Sequence, residues 1–133
     1  SSTLTFEPGT VVKGNYANTK GRVIVKNGGS LFFEGATTTA LIFTSKYDDS
    51  VGGLVQSTSS VPFTGSWQGI IAEEGSSVHL KGFSVLYADV GLSLIDAEAH
   101  LENASFVYNT IDIKTTGSSI FECVNCGTYI TNP

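Results

Sequence analysis

Short alternations of apolar and polar residues run along the whole chain: Leu4 and Phe6, Val23 and Val25, Leu31 and Phe33, Val78 and Leu80, Leu92 and Leu94, Ile111 and Ile113. Gly, Asn or Ser breaks each run after a few residues, as expected for a strand with one buried face. No stripe with a period of about 3.6 residues lasts long enough for a helix. The pattern predicts an all-β chain.

The alternations recur at a fixed interval. Gly75-Ser76-Ser77-Val78-His79-Leu80 is echoed 21 residues on by Asp96-Ala97-Glu98-Ala99-His100-Leu101, and a further 21 on by Gly117-Ser118-Ser119-Ile120-Phe121. Asp stands for Gly in the middle copy, and Asp is one of the few residues that tolerate a left-handed turn. Tyr87, Tyr108 and Tyr129 keep the same spacing. Upstream, Glu7-Pro8-Gly9-Thr10-Val11 and Asn27-Gly28-Gly29-Ser30-Leu31 lie 20 residues apart, which brings the count to about five units. A short strand needs partners for its edges and a cover for its apolar face. The equivalent strand one period later supplies both if the chain winds as a coil. The expectation is a parallel β-solenoid, a single domain over residues 1–133.

Several runs carry a family resemblance: Leu4 to Lys13, Leu41-Ile42-Phe43-Thr44-Ser45 through Gly52-Gly53, Trp67-Gln68-Gly69-Ile70, and Leu101-Glu102-Asn103-Ala104-Ser105-Phe106. These resemble right-handed parallel β-helix repeat proteins of bacterial secreted and cell-surface type. The resemblance implies a single-stranded right-handed parallel β-helix of about five coils. It also implies a secreted or cell-surface location and a loop insertion at residues 46–66, where Ser, Gly and Thr crowd. Asp48 and Asp49 in that loop read as a solvated turn rather than a calcium site. The architecture hosts adhesins, polysaccharide lyases, glycoside hydrolases and plain stalks, so the fold does not choose among functions.

Composition narrows the choice. Charged residues make up 14% of the chain and Ser plus Thr number 31, giving a hydroxyl-rich, lightly charged surface. A net charge of -5 without a basic stripe disfavours nucleic acid as a partner. No apolar run approaches the roughly 18 residues of a membrane helix, so membrane insertion is not expected. Ser1-Ser2-Thr3 carries no signal peptide and methionine is absent, which suggests a mature form or an excised domain.

Residues one period apart on a parallel coil sit about 4.8 Å from each other. Tyr87, Tyr108 and, if the register holds, Tyr129 would then form a ladder. With Trp67, which re-enters after the loop, Tyr87 and Tyr108 are the candidate ligand-binding residues for carbohydrate. The competing readings are ladder packing for the tyrosines and a ring folded over the core for Trp67. His79 and His100 should be neighbours that repel when protonated, weakening the fold below about pH 6; they fall short of a zinc ligand set. Cys123 and Cys126 form a lone Cys-x-x-Cys without a second pair. They are a possible local disulfide, needing a turn at Val124-Asn125, or Cys126 is a buried thiol aligned with Phe106 at a period of 20, which also sets Phe121 on Leu101. Asn103-Ala104-Ser105 is a glycosylation sequon by letter, but Asn103 is expected at a turn where amides stack from coil to coil.

Catalysis finds little support. Arg22 has no acidic neighbour in sequence, and Asp89, Asp96 and Asp112 fall at different places in their units, so no catalytic residue is assigned and no metal or cofactor is invoked. Thr37-Thr38-Thr39 are consecutive rather than laddered, against an ice-binding face. Neither end shows an atypical capping unit, which solenoids normally need. The sequence therefore points to a non-enzymatic extracellular structural or adhesive module. Its partner would be another copy stacked end to end, giving a homo-oligomeric fibre, or the rest of a larger surface protein. The alternative is a carbohydrate-binding or carbohydrate-cleaving domain with a polysaccharide partner.

Overall fold

The computed structural model describes residues 2–16, 19–53 and 61–132, Asn132 by its backbone alone. Among them the chain forms strands and no helix: β1 (Thr3–Thr5), β2 (Thr10–Gly14), β3 (Arg22–Val25), β4 (Ser30–Glu34), β5 (Leu41–Ser45), β6 (Gly69–Ala72), β7 (Ser77–Leu86), β8 (Val90–Ile95), β9 (Glu98–Val107), β10 (Ile111–Thr116), β11 (Ile120–Val124) and β12 (Thr131–Asn132). All the strand pairings are parallel. They build two sheets. The first carries β1, β4, β7, β9 and β11 side by side, with β2 and β5 joined to the rear of β7. The second runs β3, β6, β8, β10, β12. The chain thus passes twice through the first sheet, crosses to the second and returns. In the later circuits β7 and β9, ten residues each, span both first-sheet positions. This path is compatible with a parallel β-helix.

Because side chains alternate across a strand, in-register parallel pairing stacks like on like. Leu4, Leu31, Val78, Ala99 and Phe121 form one inward column, Phe33, Leu80, Leu101 and Cys123 a second. Val12, Phe43, Val85 and Phe106 form a third, and Val23, Ile70, Leu92 and Ile113 a fourth. The buried members of these columns make the core.

The corners between strands need left-handed backbone. Gly75, Asp96 and Gly117 take φ 76, 50 and 69 at the corner before β7, β9 and β11; Gly82, Asn103 and Asn125 take φ 77, 50 and 56 at the bend within or after those strands. Asn125 donates from Nδ2 to Asn103 Oδ1, so amides stack at this bend. Glycine is required at position 82, where a Cβ would lie 2.8 Å from the carbonyl oxygens of Gly35 and Thr37.

The spacing differs from the sequence expectation in two places. The 21-residue interval holds between β7 and β9, but β11 sits on β9 at 22, with Phe121 beside Ala99 and Cys123 beside Leu101. The alignment of Phe121 with Leu101 is therefore corrected. The extra residue is absorbed at the corner, where the Ser119 hydroxyl donates to the Thr116 carbonyl and accepts from the Ala97 N–H. In the first half, Val11 lies beside Ile42 and Leu31 beside Leu4, so the two segments 20 residues apart are not stacked units. Their likeness arises because Gly9 and Gly28, φ 89 and 76, serve different corners with the same turn chemistry.

Of the expected 46–66 insertion, residues 54–60 lie outside the described residues. Its first part is fastened to β2, since Lys13 Nζ donates to the Asp48 and Gly53 carbonyls.

Candidate functional site

Tyr87 and Tyr108 occupy equivalent corners, after β7 and after β9, at φ 64 and 60. Their rings stack with centroids 5.2 Å apart and planes 12° from parallel, close to the strand spacing of about 4.8 Å. Rings stacked along the strand-to-strand direction occupy one another's faces and turn edges outward. Among the described residues, Tyr87 is half-buried and Tyr108 is 60% exposed, so Tyr108 is the ring of the pair that a flat ligand could reach. Tyr129 leaves this column and packs edge-on against Phe121 at 6.0 Å. The reason is the short last circuit: Ile113 lies beside Thr131, eighteen residues on, so the chain turns before reaching the tyrosine corner.

Trp67 does not join the tyrosines on a surface. The ring is fully buried, its Nε1–H donates to the Leu86 carbonyl at 2.7 Å, and its backbone bridges Ala88. The expectation of Trp67 as a ligand platform is corrected: an indole that finds both apolar cover and an acceptor inside the fold stays there.

Asp48 is likewise not a solvated turn residue. It is 6% exposed and caps its own loop, accepting from Thr44 Oγ1 at 2.7 Å, from the Ser50 N–H at 3.1 Å and from the Ser50 hydroxyl. Burial works to raise its carboxyl pKa. The hydrogen bonds from Ser50 and Thr44 and the nearby Lys13 ammonium outweigh burial and hold it below the usual 3.8. Asp48 in turn acts on Tyr87, whose phenol lies above its ordinary 10.0 chiefly through burial, with the Asp48 charge and Tyr108 adding to it. Beside the pair, Lys20 Nζ meets Asp89 Oδ2 at 3.1 Å and the Ser66 N–H donates to the Tyr87 carbonyl. Tyr16, Tyr47 and Phe63 form a further aromatic group at the base of the loop, with Tyr16 and Phe63 5.1 Å apart. Sequence reasoning missed this group. Its only signal was aromatics bracketing a polar insertion.

His79 and His100 are register partners on the outward face of the first sheet, as the repeat implies. Each ring meets a carboxylate: His79 Nε2 lies 2.9 Å from Glu34 and the ring stacks on Phe32, while His100 sits between two, Nδ1 3.3 Å from Glu122 and Nε2 3.7 Å from Glu98. The protonated rings therefore meet opposite charge as well as each other. Among the described residues, no group of three or more His, Cys, Asp or Glu side chains is placed to hold a metal ion.

The remaining candidates are tied into structure. The Asp96 carboxylate accepts from the Ser118 N–H. Asp112, 4% exposed, accepts from Asn109 Nδ2 and from the Ile130 N–H, and Asn109 also bonds the Ala88 N–H and Val85 carbonyl. Cys123 and Cys126 are joined, their Cα atoms 5.9 Å apart. This bridge, with Tyr129 over Phe121, makes the last circuit atypical, so the expectation that neither end carries an atypical unit is corrected at this end.

Among the described residues no helix is long and apolar enough to cross a membrane. Comparison of the chain with known protein families, with curated proteins and with solved structures finds no match.

Proposed function

We propose that the circuits form a right-handed parallel β-helix serving as a non-enzymatic extracellular structural or adhesive module, whose partner is another copy joined end to end. One observation carries the reading. In the column Leu4, Leu31, Val78, Ala99, the inner members are 4%, 0% and 0% exposed, whereas Leu4 is 54% exposed although it points inward like them. Beside it a cavity of ≈ 430 Å³ opens between β1 and β3, lined by Leu4, Val23, Val25 and Leu31. Phe6, Val12 and Val23 are only partly buried in the same layer. Among the described residues no strand pairs with the outer edges of β1, β2 and β3, and an apolar layer bounded by such edges invites a further layer of strands. Sedimentation velocity and electron microscopy over a concentration series test this: growing elongated species support it, and compact monomers at millimolar protein refute it.

The alternative is a polysaccharide-binding domain, supported by the exposed ring of Tyr108. An affinity gel comparing the wild type with Tyr108→Ala tests it. Retardation lost in the variant supports that reading, and no retardation by neutral or acidic polysaccharides removes it.

A further inference from the structure

The two ends of the strand stack differ in charge and match in hydrogen bonding. Up to Gly29 the chain carries Lys13, Lys20, Arg22 and Lys26 against Glu7, a net +3 by sequence. Lys20 meets Asp89 and Lys13 holds the loop that bears Asp48, which leaves Arg22 and Lys26 as the exposed basic residues that set the charge of this end. From Glu98 onward it carries Glu98, Glu102, Asp112 and Glu122 against Lys114, a net −3. The first stretch holds β1 to β3, the outermost strands at one end of both sheets, and the second holds β9 to β12, of which β11 and β12 are outermost at the other. Arg22 and Lys26 are exposed at the first end; Glu122 is exposed on β11 at the last, with exposed Glu98 one strand in on β9. Two copies meeting through like ends would bring like charges together, while unlike ends attract.

The backbone agrees. The Ser30 N–H donates to the Ser2 carbonyl and the Phe6 N–H to the Phe32 carbonyl, so even-numbered residues of β1 face β4. Strand alternation then turns the N–H and C=O groups of Thr3 and Thr5 to the free edge. The Ile120 N–H donates to the Ala97 carbonyl, which leaves those of Phe121 and Cys123 on the free edge of β11. A second copy whose Thr3, Leu4 and Thr5 lie beside Ile120, Phe121 and Glu122 places Thr5 between Phe121 and Cys123 for two parallel-ladder bonds.

We infer that assembly is head to tail: the basic β1–β3 end of one copy seats on the acidic β11–β12 end of the next, in this register. The inference rests on the self-association proposed above and adds its polarity. It is tested by sedimentation velocity at low and high salt on the wild type and three variants, each checked for an unchanged circular dichroism spectrum. Thr5→Pro removes an edge donor without touching the β1–β4 ladder. Arg22→Glu/Lys26→Glu makes both ends acidic, and Glu98→Lys/Glu122→Lys makes both basic. Head-to-tail assembly predicts association of the wild type that weakens with salt, at least about tenfold weaker association for each variant alone, and recovery when the two charge variants are mixed in equal amounts. A variant that associates alone as well as the wild type, or a mixture that does not recover, overturns the polarity while leaving self-association intact. A wild type that stays monomeric at all concentrations and salts overturns the self-association reading instead.

Discussion

Tyr87 and Tyr108 face one another 5.2 Å apart, and both hold the left-handed backbone that glycine holds at other corners. A bulky residue there carries a backbone cost of about 1–2 kcal/mol, set against about 0.5–1.5 kcal/mol from the aromatic pair. The two nearly cancel, so removing the ring need not weaken the fold. Tyr108→Gly is expected to lie within about 1 kcal/mol of the wild type. Tyr108→Ala, which keeps the strained backbone and loses the stack, should be about 1 kcal/mol less stable than the glycine variant. Urea unfolding of both variants measures the difference, and an alanine variant as stable as the glycine one would contradict it.

Trp67 is held by Gly14. A Cβ on Gly14 would come within 2.5 Å of the Trp67 side chain, in a layer where the indole is fully buried. Gly14→Ala should cost about 1–3 kcal/mol through overpacking. Trp67→Phe should cost a similar amount through lost volume and an unpaired Leu86 carbonyl. Phe keeps the Trp67 Cβ and Cγ that the added Cβ would meet, so the smaller ring does not relieve the clash and the double variant should be destabilised by about the sum of the two losses. A double variant clearly more stable than that sum in a denaturant double-mutant cycle would show that the ring beyond Cγ sets the contact.

The repeat was legible in the second half because β7, β9 and the strands that follow them lack insertions. There the distance between Leu80 and Leu101 along the sequence is the distance around one circuit. The first half hid its register: Leu4 pairs with Leu31 at 27 residues and Leu31 with Val78 at 47, and no single period finds both. The stacking of Tyr87 on Tyr108 followed from spacing. The loss of Tyr129 from that column did not, because it depends on how a shortened circuit closes on Phe121. The burial of Trp67 and Asp48 was beyond periodicity as well. Both are decided by contacts across long sequence separations, to Leu86 for the indole and to Lys13 for the loop that Asp48 caps.

Asp48 sets a pH dependence. Its carboxyl lies below 3.8 in the folded chain, so the folded state binds its proton less readily than the unfolded state does. The resulting stabilisation is fully present above the unfolded value, about pH 4, and is lost as pH falls through the folded one. Asp48→Asn keeps the shape and removes the charge, and should cost about 1–3 kcal/mol at pH 7 through weakened bonds to Thr44 and Ser50. The gap between variant and wild type should narrow below about pH 4 as the wild-type carboxyl protonates. Urea titrations at pH 7, 5 and 3 follow this gap, and a gap that stays constant would show that the charge contributes nothing.

The bridge between Cys123 and Cys126 closes a ring of only a few residues, so its effect on the unfolded chain is small, about 2 kcal/mol. Its local effect is larger. Cys123 continues the column of Phe33, Leu80 and Leu101, while Cys126 is 6% exposed, so the bridge covers the last layer of the core. Reduction by a dithiol should lower the melting temperature modestly and leave β7 to β10 paired. Amide hydrogen exchange should then quicken at Phe121 to Val124 and stay unchanged at Val78 to Val85. Cys123→Ala/Cys126→Ala should show the same quickened exchange and no further response to reductant. Equal acceleration throughout would mean that the bridge supports the whole fold, and no change at β11 would mean that Tyr129 and Phe121 alone close that end.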